Sequence, residues 1–190
     1  MKRDNTKIGT TSMAARKLDT AESLPGDVLV AIEQVFEPAG LHLTEMVVRE
    51  AESTEYGAAR FALNGHKIVF RTAKTTPTKL GQFVTIWKRP TPDGDIAPLD
   101  SRDGIAFVLV GVSDAMHKGL FVFDQAVLVA KGVFSSAGEG GKRAMRVYPP
   151  WVQLTAKAAI VTQRWQCRYF ISLDQDGTVD VELLRRLFNT

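Results

Sequence analysis

Apolar positions along this chain come in short runs, not in a long helical repeat. "GAARFALNGHKIVFRTAK" holds two such runs around Asn64-Gly65. That dipeptide between strand-like segments predicts a β-hairpin closed by a type I′ turn, which needs positive φ at both central residues. "GQFVTIWKR" is β-branched and aromatic and predicts a strand. "GIAFVLVGV" is apolar almost throughout, which is expected of a central strand with both faces covered. "GLFVFD" predicts another strand, and "QAVLVAKG" a short helix closing at Gly132. After the Gly-rich loop "SSAGEGGKR", "AMRVYPPW" predicts one more strand.

Helices are expected over "PGDVLVAIEQVFEPAG", with Pro25 near its start and Pro38–Gly40 as its stop, over "TAKAAIVTQRWQCRYF", and over the terminal "VDVELLRRLF". The acidic "LHLTEMVVREAESTEY" fits strand or helix. Helices at both ends of a run of strands predict one α/β or α+β domain, a mixed β-sheet flanked by helices. It is expected over residues 23–190, behind a disordered arm over 1–22.

Composition narrows the class. A chain of 190 residues suits one domain with a sizeable core. Cys167 is its one cysteine, which excludes a disulfide framework, and His42, His66 and His117 have no ligand-like spacing. No apolar run approaches the roughly 20 residues of a membrane helix, and the N-terminus has no apolar signal region, so the expected location is the cytoplasm.

The net charge of +3 is unremarkable, but its layout is not. Residues 56–92 contain no acid and seven cations: Arg60, Lys67, Arg71, Lys74, Lys79, Lys88 and Arg89. Residues 140–173 again contain no acid, and six cations: Lys142, Arg143, Arg146, Lys157, Arg164 and Arg168. Such segregation predicts separate positive and negative regions, unless the two strips pair with acids elsewhere in the fold. The strips also carry Trp87, Tyr148 and Trp151. Cations neutralise phosphates and rings stack on unpaired bases, so DNA or RNA is the expected partner.

The candidate binding residues are Lys67, Arg71, Lys74, Lys79, Gln82, Trp87, Lys88, Lys142, Arg143, Arg146, Tyr148 and Arg164. In the helix expected over Thr155–Phe170, Lys157, Arg164 and Arg168 share one edge, beside an apolar face of Ala158, Val161, Trp165 and Tyr169. "SLDQDGTVDVELL" offers Ser172, Asp174 and Asp176 in the manner of a calcium loop. Its last ligand position is Leu183, so a turn leading to a helix cap at Asp180 is the better reading.

Three blocks, "FRTAKTTPTKLGQFVTIWKR", "GKRAMRVYPPW" and "TQRWQCRYF", resemble the signature blocks of the MepB-like family, in family order, within a match from Glu55 to Phe170. That family is named for a small bacterial protein encoded beside a multidrug efflux pump, which implies a link to drug response. The resemblance implies a restriction-endonuclease-like core of the PD-(D/E)XK type, and with it nucleic-acid binding. Cleavage by that core needs carboxylates holding Mg²⁺ and a lysine in a (D/E)-x-K triplet. No Asp or Glu of this chain has Lys two residues later; Asp100-Ser101-Arg102 comes nearest, with a guanidinium that does not replace an ammonium. Where MepB-like sequences tend to have Pro-Lys after "GLFVF", this chain has Asp124-Gln125. The expectation is a binding protein that has lost catalysis and needs no cofactor. Two alternatives stand beside it: a Mg²⁺-dependent nuclease using Glu55, Asp100 and Asp103, and a module whose basic face meets an acidic protein.

Overall fold

The computed structural model describes residues 26–174 and 180–188. The arm expected over 1–22, Pro25 and Asp176 lie outside them. Helix α1 (Gly26–Ala31) runs on as a single π-helical turn, Ile32–Phe36. The ambiguous acidic segment is a strand, β1 (Leu43–Arg49), followed by a 3₁₀ turn at Thr54–Tyr56. Strands β2 (Ala59–Leu63) and β3 (His66–Thr72) form the expected hairpin. Asn64 and Gly65 have φ of 46° and 82°, as a type I′ turn requires. Then come β4 (Lys74–Thr76), β5 (Lys79–Thr85) and two short strands, β6 (Trp87–Lys88) and β7 (Ala97–Pro98).

The apolar run forms β8 (Phe107–Ser113), and β9 (Lys118–Asp124) leads directly into α2 (Gln125–Ala130). The Asp124 carboxylate caps α2 by accepting from Val127 N at 2.7 Å, and Gly132 ends that segment with φ 63°. The chain finishes with β10 (Ala144–Val147), α3 (Lys157–Gln166), β11 (Phe170–Ser172) and α4 (Val181–Phe188).

The main sheet has six strands in the order β1-β2-β3-β8-β9-β11, parallel between β3 and β8 and antiparallel elsewhere. Its middle strands are apolar on both faces because both are covered. On one side Phe61, Ile68, Phe70, Phe107, Leu109, Leu120 and Val122 pack with α1 and with Leu183, Leu184 and Phe188 of α4. On the other, Val69, Val108, Val110, Phe121 and Phe123 meet Val84 and Ile86, Leu128 of α2, and Met145 and Val147 of β10. That second cover is itself a sheet, three-stranded in the order β10-β5-β4. The mixed sheet flanked by helices is therefore as expected.

The helix expected to reach Phe170 is shorter. It ends at Gln166, Cys167–Tyr169 is a 3₁₀ turn, and Phe170 already belongs to β11, opposite Phe121. Arg168 thus leaves the helical edge shared by Lys157 and Arg164. The expected apolar face divides: Ala158 is exposed and Val161 61% exposed, while Trp165 and Tyr169 pack inward on Phe123. The last residue of α3 is a buried polar one: Gln166, 1% exposed, donates from Nε2 to Arg146 O at 3.0 Å and accepts from Tyr148 N at 2.8 Å. Those are the two backbone groups a neighbouring strand would use on the free edge of β10.

Below Gln166, Trp165 lies 5.4 Å from Phe123, and Phe123 stacks on Phe121 at 5.3 Å. Trp151 belongs to this same packing. Phe170 meets it edge-on at 5.6 Å and His117 stacks on it at 5.0 Å, so it is no platform for a base. Asp174, considered as a calcium ligand, instead accepts from Lys118 N at 2.6 Å and so ties the end of β11 to β9. Asp180 caps α4 through Leu183 N at 2.8 Å, as expected.

A buried carboxylate fastens the Gly-rich loop. Asp100 Oδ2 accepts from Ser135 Oγ and Gly138 N, both at 2.7 Å, while Oδ1 accepts from Arg102 Nε at 2.8 Å. The bond from Arg102 does most to hold the Asp100 carboxyl well below the usual carboxylate range, with Ser135 second. A depressed folded-state pKa means that the contribution is intact at neutral pH and fades as pH falls below about 4. Asp100→Asn is therefore expected to melt below wild type at about pH 7, with the gap narrowing from about pH 5 to about pH 3. A gap independent of pH in thermal melts would contradict this. Gln166→Leu is expected to cost about 1–3 kcal/mol in denaturant unfolding, because it strands a buried carbonyl and an N–H at once.

Candidate nucleic-acid interface

Alternation along β5 sets the outer face of the small sheet. Gln82, Val84 and Ile86 are buried, while Phe83, Thr85 and Trp87 between them are half-buried and face the other way. Phe83 pairs with Arg146 of β10 on one side and with Lys74 of β4 on the other. Residues opposite one another share a face, so two cations flank one ring. The Arg146 guanidinium lies 5.9 Å from the Phe83 ring centre. Tyr56 meets Phe83 edge-on at 6.5 Å, with the Lys74 ammonium 4.8 Å above the tyrosine ring. The face thus alternates charge and ring. Phe83 and Tyr56 are absent from the sequence candidates, although the period-two pattern of "GQFVTIW" placed Phe83 opposite the buried positions.

A cavity opens at each end of this face. At one end Lys79, Leu80, Arg146 and Tyr148 meet Leu154–Ala156 and Ala159 of α3 around about 400 Å³. Arg146 Nη1 points at the carbonyls of Lys79, Leu80 and Gly81, at 3.2–3.4 Å. Tyr148 lies against the bare backbone of Gly81, whose φ is 75°. A Cβ there would sit 2.5 Å from the tyrosine ring. Glycine is therefore required twice, for the turn and for the ring. At the other end Glu50, Glu52, Arg60, Arg71, Trp87, Lys88 and Arg89 line about 510 Å³.

The two basic strips meet along β5 and β10, which brings Lys79 beside Arg146 and Tyr148. They are not equally available. Arg60 and Arg71 both pair with Glu50, Lys74 with Glu55, Lys88 with Asp103 and Arg89 with Glu52. Of the first strip's candidates, Lys79 alone both lies on the face and has no acid partner among the described residues; Lys67 lines another cavity with Glu45, Glu50 and Asp103. In the second strip Lys142, Arg143, Arg146 and Arg164 have no acid partner among the described residues. Arg71 is 2% exposed and lies off this face, in the wall of the cavity at the Trp87 end. Gln82 is buried and donates to Ser113 O at 2.6 Å and Thr75 Oγ1 at 3.2 Å. The Lys74–Glu55 pair is 3.5 Å long between exposed side chains, so it holds the lysine weakly.

The candidate catalytic acids do not converge. Asp100 is spent on the loop it fastens, and Asp103 takes Lys88 and also accepts from Asp100 N at 2.8 Å. Glu55 lies by Lys74 and the small sheet. Among the described residues no three His, Cys, Asp or Glu side chains gather to hold a metal ion. Nor is any described helix long and apolar enough to cross a membrane.

No curated protein matches the sequence. Among solved structures, that of MepB has a TM-score of 0.64 at 30% identity, over 80% of this chain and 100% of that one. A bacterial homing endonuclease, I-Ssp6803I, has a TM-score of 0.42 at 12% identity, over 75% of this chain and 88% of its own, too distant to assign anything here. The family model of MepB-like proteins matches residues 50–172, which contain both ends of the interface and everything between them. The chain belongs to the MepB-like family.

Proposed function

We propose that this protein is a cytoplasmic nucleic-acid-binding protein built on an endonuclease-type core, and that it holds a single strand without cutting it. The observation that carries this reading is the outer face of the small sheet, where Lys74, Phe83 and Arg146 lie in one row across three strands. A half-buried ring between two cations suits a base stacked on carbon with its phosphates on either side. Lys79 and Tyr148 prolong the row toward α3. A duplex offers no unpaired base to Phe83, which favours the single strand.

Binding to a single-stranded oligonucleotide is expected to weaken with salt, by about 0.7 in the log–log slope for each phosphate contact. Lys79→Ala with Arg146→Ala should flatten that slope by about 1.4. Phe83→Ala should cost about 1–3 kcal/mol of binding and leave the slope unchanged. A titration in which the double variant keeps the wild-type slope would take both cations off the strand.

The same reading expects no metal-dependent cleavage, because Glu55, Asp100 and Asp103 are each engaged by cations or backbone N–H groups of the fold. Purified wild type with Mg²⁺ or Mn²⁺ should leave both single and double strands intact. Cleavage that disappears in Glu55→Ala or Asp103→Ala, with binding retained, would replace this reading by the nuclease.

A further inference from the structure

The cavity at the Trp87 end has its own chemistry. Arg71 is 2% exposed, which is rare for a guanidinium. Its Nη2 meets Glu50 Oε2 at 2.5 Å and its Nη1 donates to Phe70 O at 2.8 Å, while its buried Nε–H has no acceptor. Burial pushes the Arg71 pKa down, with Glu50 acting against it. Glu50 must also serve Arg60, so two guanidiniums share one carboxylate and a positive charge is left over at the cavity wall. Lys88 and Arg89 line the same space, each matched by one acid, Asp103 and Glu52. The excess therefore sits at Arg60 and Arg71.

A buried cation short of countercharge is costly unless something supplies it. An anion with several acceptor oxygens would do so at Arg60 and Arg71, which both line the cavity, and arginine forks match phosphate geometry. Trp87 lines the same wall, with the Arg89 guanidinium 5.7 Å from its ring centre, which suits a planar ring attached to the anion. The volume of about 510 Å³ is that of a small-molecule site.

We propose that this cavity binds a phosphate monoester joined to a base, with Arg60 and Arg71 on the phosphate and Trp87 against the ring. Two sources share that chemistry: a free nucleoside monophosphate, and the phosphorylated end of a strand lying on the adjoining face. Trp87 continues the alternation of Phe83 and Thr85, so a strand leaving Phe83 along β5 runs toward it. The second source rests on the proposed interface, and the first does not.

The test measures the binding of four probes to the intact protein. They are adenosine, adenosine monophosphate, and one single-stranded oligonucleotide with either a hydroxyl or a phosphate at its 5′ end. The phosphate is expected to strengthen binding by about tenfold or more in at least one pair, the worth of a charge-assisted hydrogen bond. Arg60→Gln, at an exposed position where folding is not at stake, should reduce that ratio to near one while keeping the affinity for the hydroxyl-ended probe. Arg71→Lys, if it folds, should do the same.

Tighter binding of the phosphorylated strand with no effect on the nucleoside assigns the cavity to strand ends. Binding of the monophosphate alone, with neither strand bound, upholds the cavity and overturns the interface. A ratio near one in both pairs, or a ratio that survives Arg60→Gln, overturns the cavity and leaves the interface standing.

Discussion

The parallel pairing of β3 with β8 puts two apolar strands at the centre of the sheet, and a strand that is apolar on both faces must be covered twice. One cover is helical. The other is a second sheet, and a sheet used as a cover buries only one of its own faces. The opposite face of β10-β5-β4 stays outside the core, with Phe83, Thr85 and Arg146 half-buried on it. Everything assigned to the strand-binding role lies on it or at its two ends. The proposed interface would thus be a by-product of how the core is closed.

Charge on that face is arranged by what lies behind it. Glu50, Glu52 and Glu55, in the segment after β1, and Asp103 pair with cations of the first strip, so most of that strip is neutralised within the fold. The second strip sits on β10, its flanking loops and α3, where no described acid reaches it. Positive potential therefore gathers toward the β10 side, with a separate and more buried excess around Glu50. A contest between two guanidiniums for one carboxylate is poor as a stabilising device, since the cost of desolvation outweighs the gain.

The central strand was legible because its requirement is local: a run with no polar position has no face to give to water. The hairpin was legible from Asn64-Gly65, which accept a backbone that other residues resist. Asp180 announced its helix in the same way. Phe170–Ser172 was not legible as a strand, because its partner Gly119–Phe121 lies fifty residues away and only pairing defines it. The fate of the basic residues was hidden for a related reason. Arg71 and Lys79 look alike in a list of cations, yet the first is held in the core by Glu50 and the second stands at the rim. Phe83 was missed although its alternation with Gln82 and Val84 was in plain view, because attention to charge passed over a ring between two cations.

Gln166 has a bearing on how the protein behaves in company. The outward edge of β10 carries open backbone groups beside an apolar interior, and such an edge invites another chain to add itself. Here a side-chain amide imitates the missing neighbour at Arg146 O and Tyr148 N. One side chain thereby closes part of an edge that would otherwise stay open to another chain.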